Sequence, residues 1–400
     1  MLGVKIQGGY SSEARVFARL LGHRGHAFDA RVLYHSHDGE SWREFEADAQ
    51  APVVRLDVGY REQMPGMAAK AKALLRFRRR LGELTRLARA YDPDVVYSSQ
   101  QFWDCAAASH IARRLQRPHV IHLHYVVGPW LSTGFSRNPT AMRLATRAFG
   151  LADPVERLKV SEQVIAISDF IRHDAIAQGV PADRIATVHN PVIAAGSSTD
   201  DRGAMRAALD LPPGAPVIGI VGRLDVGKGH LDTLHAFARL APANPDAHLV
   251  MVGGGPLDAS LRAEAQRLGV AERVRFTGWR NDVPALLSAM DVFAHPSRRE
   301  PFGLAVAEAS AAGLPVIAYA EGAIPEIVVD GQTGWLTPEG DVAELAEALG
   351  RALAQPSEAR RMGANGRELI ERRFAPANAS RGLAEVLSRL IGREPATVGA

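Results

Sequence analysis

One cysteine, Cys105, is all that the 400 residues contain, so no intramolecular disulfide and no thiolate metal cluster can form. A reducing, cytoplasmic setting is expected. Nowhere do about 18 consecutive apolar residues occur. No apolar h-region follows the strand-like Val4-Lys5-Ile6, so neither a membrane span nor a cleaved export signal is expected. The net charge is only +3, too little to indicate nucleic acid as a partner. The 14 histidines include no His-x-x-x-His pair, and a zinc site is not expected. Neither opening strand leads into Gly-x-Gly-x-x-Gly, and no Gly-x-x-x-x-Gly-Lys-Ser/Thr is present. A nicotinamide-dependent oxidoreductase and a P-loop ATPase both lose their main support.

What is present suits a folded enzyme. With 46% hydrophobic and 23% charged residues, the chain has the composition of a globular protein, and its length exceeds one ordinary core. Short β-branched runs alternate with helical stretches, the pattern of parallel strands covered by helices. Strands are predicted at 4–6, 30–33, 53–56, 95–98, 119–123, 164–167 and 185–188. A small, polar, aperiodic stretch at 193–203 reads as a linker. The pattern then restarts, with strands predicted at 217–221, 248–252, 274–277, 292–294, 315–318 and 334–336, and helices at 231–240 and 257–268. The domains are therefore placed at 1–193 and 203–375. A last helix at about 376–392 is expected to return to the first of them.

Lys70, Lys72, Arg76, Arg78, Arg79, Arg80, Arg86 and Arg89 face a single acid, Glu83, while Met67, Ala71, Leu74, Leu81, Leu84 and Ala88 recur at helical spacing. The segment reads as a basic amphipathic helix. It is either a solvated cationic face or a surface that docks on anionic lipid or an anionic acceptor.

Three places carry chemistry. Gly8-Gly9 follows the first strand and precedes a helical stretch at 13–21, so backbone there can approach a ligand; an empty strand-to-helix turn would look the same. Gly222-Arg223-Leu224 closes another strand, with Gly227-Lys228-Gly229 just beyond. Two cations at the carboxyl end of a strand suit a diphosphate, the guanidinium binding two oxygens and the ammonium supplying a point charge; a solvated turn is the plainer reading. The third runs from His295 to Glu308, His-Pro-Ser-Arg-Arg-Glu-Pro-Phe-Gly-Leu-Ala-Val-Ala-Glu. Gly303 marks a turn, and the helix predicted at 304–312 offers free amides to an anion. Glu300 precedes that helix and Glu308 lies one turn into it, so one carboxylate can address a sugar hydroxyl and the other a ribose. Alternation along 119–123 puts His122 and His124 on one face, and His124 stands at the carboxyl end of its strand, where open α/β sheets bind ligands. Each histidine could instead be an ordinary core or loop residue.

Taken together, Gly222-Arg223-Leu224 with Lys228-Gly229, Pro296-Ser297 with Glu300 to Glu308, Gly313-Leu314-Pro315-Val316, Glu321-Gly322-Ala323-Ile324-Pro325-Glu326 and Asp330-Gly331-x-x-Gly334 resemble the family-4 retaining glycosyltransferases of group 1 type. The N-terminal half is similar more loosely, through Gly8-Gly9, Asp94-Val95-Val96, the His124 region, 164–168 and Asn190. Two departures stand out: Pro191 follows Asn190 where the family often has glycine, and Glu321-Gly322-Ala323 replaces a common Gly-Gly pair. The resemblance implies an α/β GT-B fold, two Rossmann-like domains facing each other across a cleft, with no cofactor and no metal. It implies a nucleotide-sugar donor and, as acceptor, a saccharide, a lipid-linked glycan or a small metabolite. By the same resemblance Arg223 and Lys228 bind the diphosphate and Glu308 the ribose. Glu300, with the backbone of Phe302, Gly303 and Leu304, grips the transferred sugar. Gly9 approaches the phosphates, Trp279 and Arg280 lie near the base, and His124 contacts the donor sugar. Asp92-Pro93-Asp94 has the spacing of a metal-holding Asp-x-Asp but precedes its strand, on the wrong side of the sheet, and reads as a turn. A sugar phosphorylase or nucleotide-sugar epimerase on the same plan, and a non-catalytic nucleotide-sugar or polyanion binder, stay open as alternatives.

Overall fold

The computed structural model describes residues 1–5, 18, 20, 30–34, 46–49, 53–55, 66–100, 102–127, 154–193 and 199–392. Gly8, Gly9, most of the helix expected at 13–21 and the linker residues 194–198 lie outside them. The chain divides into two compact units, Met1–Pro191 with Pro376–Ala400, and Val192–Ala375.

The first unit is built on β1 (Leu2–Lys5), β2 (Arg31–Tyr34), β3 (Val53–Arg55), β4 (Val96–Ser99), β5 (His119–Leu123), β6 (Gln163–Ala166) and β7 (Ile185–Thr187), in the order β3-β2-β1-β4-β5-β6-β7. The second holds β8 (Val217–Val221), β9 (His248–Val252), β10 (Val274–Gly278), β11 (Val292–His295), β12 (Val316–Tyr319) and β13 (Gly334–Thr337), ordered β10-β9-β8-β11-β12-β13. Neighbouring strands pair in parallel in both sheets. β9 and β12 are buried along their whole length, because a parallel sheet is covered on both faces and selects continuous apolar runs. β4 begins at Val96 and not at the expected Val95, since Val96 N–H makes the first bond to the next strand's approach, at Pro118 O (3.0 Å).

Each strand order reverses once, between β1 and β4 and between β8 and β11. At such a reversal the loops leaving the carboxyl ends run apart and leave room for a ligand. In the second unit the core below this point is formed by Ile218, Ile220, Leu234, Phe237, Leu249, Met251, Leu345 and Leu349. The helices His230–Leu240 and Val342–Ala354 contribute to it through residues three and four apart. At the opposite end of the sheet, the helix Thr199–Ala208 is clamped down by two arginines. Arg202 Nη2 and Arg206 Nη2 reach the two oxygens of Asp291 at 2.5 and 2.7 Å, and Asp291 Oδ2 also accepts from Val217 N–H at 2.8 Å.

In the first unit the helix Gly66–Tyr91 buries Phe77, Leu81, Leu84 and Ala88 and exposes Arg76, Arg78, Arg79, Arg80, Arg86 and Arg89. Among these, Arg80 bonds Glu83 at 2.6 Å, and Leu75 stands half exposed beside them. The side chains of 66–74 lie outside the described residues. The helix Pro376–Ile391 belongs to this unit, where the Ser380 hydroxyl donates to Leu20 O at 3.4 Å. No described helix is long and apolar enough to cross a membrane.

Candidate active site

The loops that follow β8 and β11 meet at the reversal point of the second sheet, and glycines let them meet closely. Gly229, at φ 78°, caps the helix His230–Leu240; a Cβ there would come within 2.4 Å of Pro296 O. Arg298 N–H donates to Gly227 O at 2.9 Å, stitching the second loop to the first. On the other side of β8, Leu224 N–H donates to Gly254 O at 3.1 Å. Lys228 is thereby held over the end of β11.

Glu300 lies under this junction. Its Oε2 accepts from Lys228 Nζ at 2.8 Å and lies 2.9 Å from Ser297 Oγ, and His295 Nε2 stands 3.5 Å from the same atom. Its side chain is 12% exposed. Burial alone would raise its pKa, but the neighbouring His295 and Lys228 outweigh burial and hold the carboxyl below the usual range. The backbone of Glu300 is also gripped: its carbonyl accepts from Ala323 N–H at 2.9 Å, and a Cβ on Gly322, at φ 60°, would sit 2.3 Å from that oxygen. The segment 321–323 departs from a Gly-Gly pair yet keeps glycine at the position where nothing larger fits.

Gly303, at φ 94°, caps the helix Leu304–Ala311, and a Cβ on it would lie 2.8 Å from Ile324 Cδ1 and 3.6 Å from Glu300 Cγ. The amides that open this helix therefore sit beside Glu300, a small positive pole next to Lys228. Phe302 is buried edge-on against Phe374, at 5.7 Å, which fixes the loop from below. Glu308 is half-buried in the second turn of the helix. Arg223 is far more open than Lys228, with its side chain 71% exposed and its Nε 3.3 Å from Asp225 Oδ2. Arg280 is engaged by Asp282, Nε to Oδ1 at 2.7 Å, and Trp279 is exposed next to it.

In the first unit His124 is buried at the end of β5, its ring 4.3 Å from that of His122. Burial first, then the charge of His124, pushes the pKa of His122 well down, and His122 Nδ1 bonds the Tyr97 hydroxyl. Gln100 Oε1 accepts from the N–H groups of His124 and Tyr125 at 2.6 and 2.8 Å. Asp92 is bonded by Arg117 at 2.9 Å, ahead of β4.

The structure brings Lys228, Glu300, Gly303 and Leu304 into one cluster, with Phe302 supporting it, while Arg223 is exposed beside Asp225. Gly9 lies outside the described residues, and His124 belongs to the other unit. Sequence reading gave no role to Gln100 or His230, and quoted His295 and Ser297 only as part of the 295–308 segment. His230 and His295 are both buried, and neither ring nitrogen of either has a hydrogen-bond partner among the described residues. His295 carried the signal that singled out His124, a histidine at the carboxyl end of a strand, whereas His230 opens a helix.

Two family patterns match the chain: "Glycosyl transferase 4-like domain" over residues 8–191 and "Glycosyl transferases group 1" over 201–369. The sequence is 29% identical to a 2-deoxystreptamine glucosyltransferase of Streptomyces kanamyceticus, over 86% of this chain and 88% of that protein. It is 34% identical to a GDP-mannose-dependent alpha-(1-6)-phosphatidylinositol monomannoside mannosyltransferase of Mycolicibacterium smegmatis, over 64% and 67% respectively. In architecture it is similar to Anabaena HepE in complex with UDP and glucose, with a TM-score of 0.76, 23% identity and coverage of 97% and 98%. Two parallel α/β sheets, two family patterns in order and relatives along most of the length place the chain among the group 1 glycosyl transferases: it is a glycosyltransferase with the GT-B fold.

Proposed function

We propose that this glycosyltransferase is a retaining enzyme that takes its sugar from a nucleotide-diphosphate donor held by the second unit. The observation that carries the reading is the convergence of Lys228 Nζ, the Glu300 carboxylate and the start of the helix Leu304–Ala311 where the order of the second sheet reverses. Charge builds on the leaving diphosphate as the glycosidic bond breaks. Arg223, Lys228 and the helix amides are fixed where that charge develops and stabilise it more than they stabilise the bound donor. In this scheme they do what a divalent ion does in metal-dependent enzymes. Glu300 orients a sugar hydroxyl and is not a nucleophile; it is tied on one oxygen by Lys228 and Ser297. The acceptor hydroxyl attacks from the face the leaving group departs and gives its proton to the departing phosphate. Glu308 takes the ribose, and Trp279 and Arg280 border the base.

The acceptor is a saccharide, a lipid-linked glycan or a small metabolite; the relatives named above act on an aminocyclitol and on a phosphatidylinositol mannoside by their names. The exposed arginines of the helix Gly66–Tyr91 are proposed to rest on anionic lipid when the acceptor is membrane-bound. A role in making surface glycans, glycolipids or glycosylated metabolites on the inner, cytoplasmic side follows from these features.

The test is a panel of UDP-, GDP- and ADP-sugars read first by melting temperature, since a ligand of the folded state raises it. One base class is expected to stabilise the protein, and its sugar to pass to an acceptor with the anomeric configuration unchanged by NMR. An inverted product, or no stabilisation by any nucleotide sugar, would sink the proposal.

A further inference from the structure

Glu300 Oε2 is shared by three groups: Lys228 Nζ at 2.8 Å, Ser297 Oγ at 2.9 Å and His295 Nε2 at 3.5 Å. On the reading above, the ammonium of Lys228 is required by the donor's diphosphate. Once it turns to phosphate, a buried carboxylate is left without its cation, and an uncompensated charge in the interior is strongly unfavourable. Ser297 is neutral and cannot replace it. His295 can: its side chain is 5% exposed, both its ring nitrogens lack hydrogen-bond partners among the described residues, and Nε2 already faces the carboxylate.

We propose that His295 is a positioning residue that takes up a proton as the donor binds and succeeds Lys228 as the counter-ion of Glu300. The inference rests on the donor reading of Lys228. The step balances without any covalent change. Solvent supplies one proton to the imidazole, so that Nε2 bears an N–H whichever nitrogen carried the proton before. That N–H donates to Glu300 Oε2, while Lys228 keeps its protons and pairs with a phosphate oxygen. Glu300 stays in place and ionised throughout, and the sugar hydroxyl it orients does not shift.

The groups around His295 support this assignment. Glu300 and Lys228 face it from the loops after β11 and β8, and His230 acts on it from the start of the helix His230–Leu240. Phe293 stacks on its ring at 6.1 Å. Asp232, Tyr319, Arg298 and Glu339 form their own network: Asp232 Oδ2 accepts from Tyr319 at 3.0 Å and Arg298 at 3.2 Å, and Arg298 Nε lies 3.3 Å from Glu339. His230 is the rival proton acceptor, but burial first, and then a protonated His295 and Lys228, push it down to about 4. A proton gained by His295 therefore only strengthens the preference of His230 for its neutral form.

The experiment is calorimetric titration of the full chain with UDP, and in parallel GDP, in two buffers of different ionisation enthalpy near pH 7. Wild type is expected to take up at most about one proton per nucleotide, with the largest uptake where His295 is neutral without nucleotide and charged with it. The uptake disappears in His295→Gln with nucleotide still bound and persists in His230→Gln. Because His295→Gln could fail to fold, a second measurement uses unmutated protein with 15N-labelled histidine, in which one imidazole signal moves to the imidazolium position on adding nucleotide. Binding with no proton uptake, no imidazolium signal, or uptake retained in His295→Gln overturns the inference and leaves the donor reading intact. Failure of both nucleotides to bind overturns the donor reading and the inference with it.

Discussion

Glu300 keeps its charge in surroundings that oppose it, and it does so because Lys228 and His295 crowd one of its oxygens. This gives the two cations of the site different consequences on removal. Arg223→Ala and Lys228→Ala should each lower kcat by a factor of about 100 or more, since one preorganised contact to a developing anion is worth about 3 kcal/mol. Arg223 is exposed, so its loss should leave stability within about 0.5 kcal/mol. Lys228→Ala should also destabilise, because Glu300 then keeps a counter-ion only at the expense of drawing a proton onto His295. Steady-state kinetics with urea unfolding separate the two, and a Lys228→Ala protein as stable as wild type would contradict the ion pair. His230 sets a pH dependence. Its pKa is pushed down to about 4 from 6.5, so between those values the unfolded chain binds the proton and the folded one does not. Stability is full above pH 6.5 and falls on acidification towards pH 4, by about 3 kcal/mol. His230→Gln should flatten that slope in urea titrations across the range; an unchanged slope would show that His230 is not the group. At this scale the sequence exposed Arg223, Lys228, Glu300 and Glu308, whose charge and flanking glycines mark them locally. His230 and His295 stayed hidden because each alone resembles a core histidine. Their nearness across 65 residues of chain is a product of β8 and β11 lying side by side.

Loops that must touch backbone to backbone depend on glycine, and the two glycines around Lys228 do so unequally. Both have positive φ, 83° at Gly227 and 78° at Gly229, so alanine at either pays the left-handed cost of about 1 kcal/mol. Only Gly229 is also pressed against Pro296 O; nothing lies within 4 Å of where a Cβ on Gly227 would be. Gly229→Ala should therefore unfold at clearly lower urea concentration than Gly227→Ala, and equal midpoints would argue against the close packing. A different element, the helix Gly66–Tyr91, presents its arginines to solvent from a buried apolar stripe. Reversing Arg78, Arg79 and Arg80 to glutamate should abolish co-sedimentation with vesicles rich in phosphatidylglycerol, and added salt should weaken wild-type binding. Binding that survives the reversal leaves that face simply solvated. Strands such as β8 and β9 were readable to the residue because fully covered parallel strands are runs of mostly apolar residues. Strand order was not, because pairing at a reversal joins segments that no local pattern links. The 321–323 departure was unreadable for the same reason: only the fold reveals that a Cβ at Gly322 would collide with Glu300 O.

The molecule as a whole consists of two units, each with its own parallel sheet and one reversal point. If side chains and helix amides of the second unit carry the neutralising charge, transfer needs no divalent ion. Activity should persist after exhaustive treatment with EDTA, and a strict requirement for added Mg²⁺ or Mn²⁺ in a turnover assay would refute that. The existence of two such units was legible from the restart of the strand–helix alternation and from the chain's length. Substrate identity was not, because no residue pattern in the sequence singles out one base or one acceptor.

The course of the chain has one more effect. Val192–Ala375 is a single uninterrupted stretch, whereas the first unit recovers Pro376–Ile391 only after it. During synthesis the later unit thus has its full set of residues before the earlier one does, the reverse of the usual N-terminal-first order. A ribosome stalled after residue 375 would have made every residue of the second unit while the first still lacked its last helix.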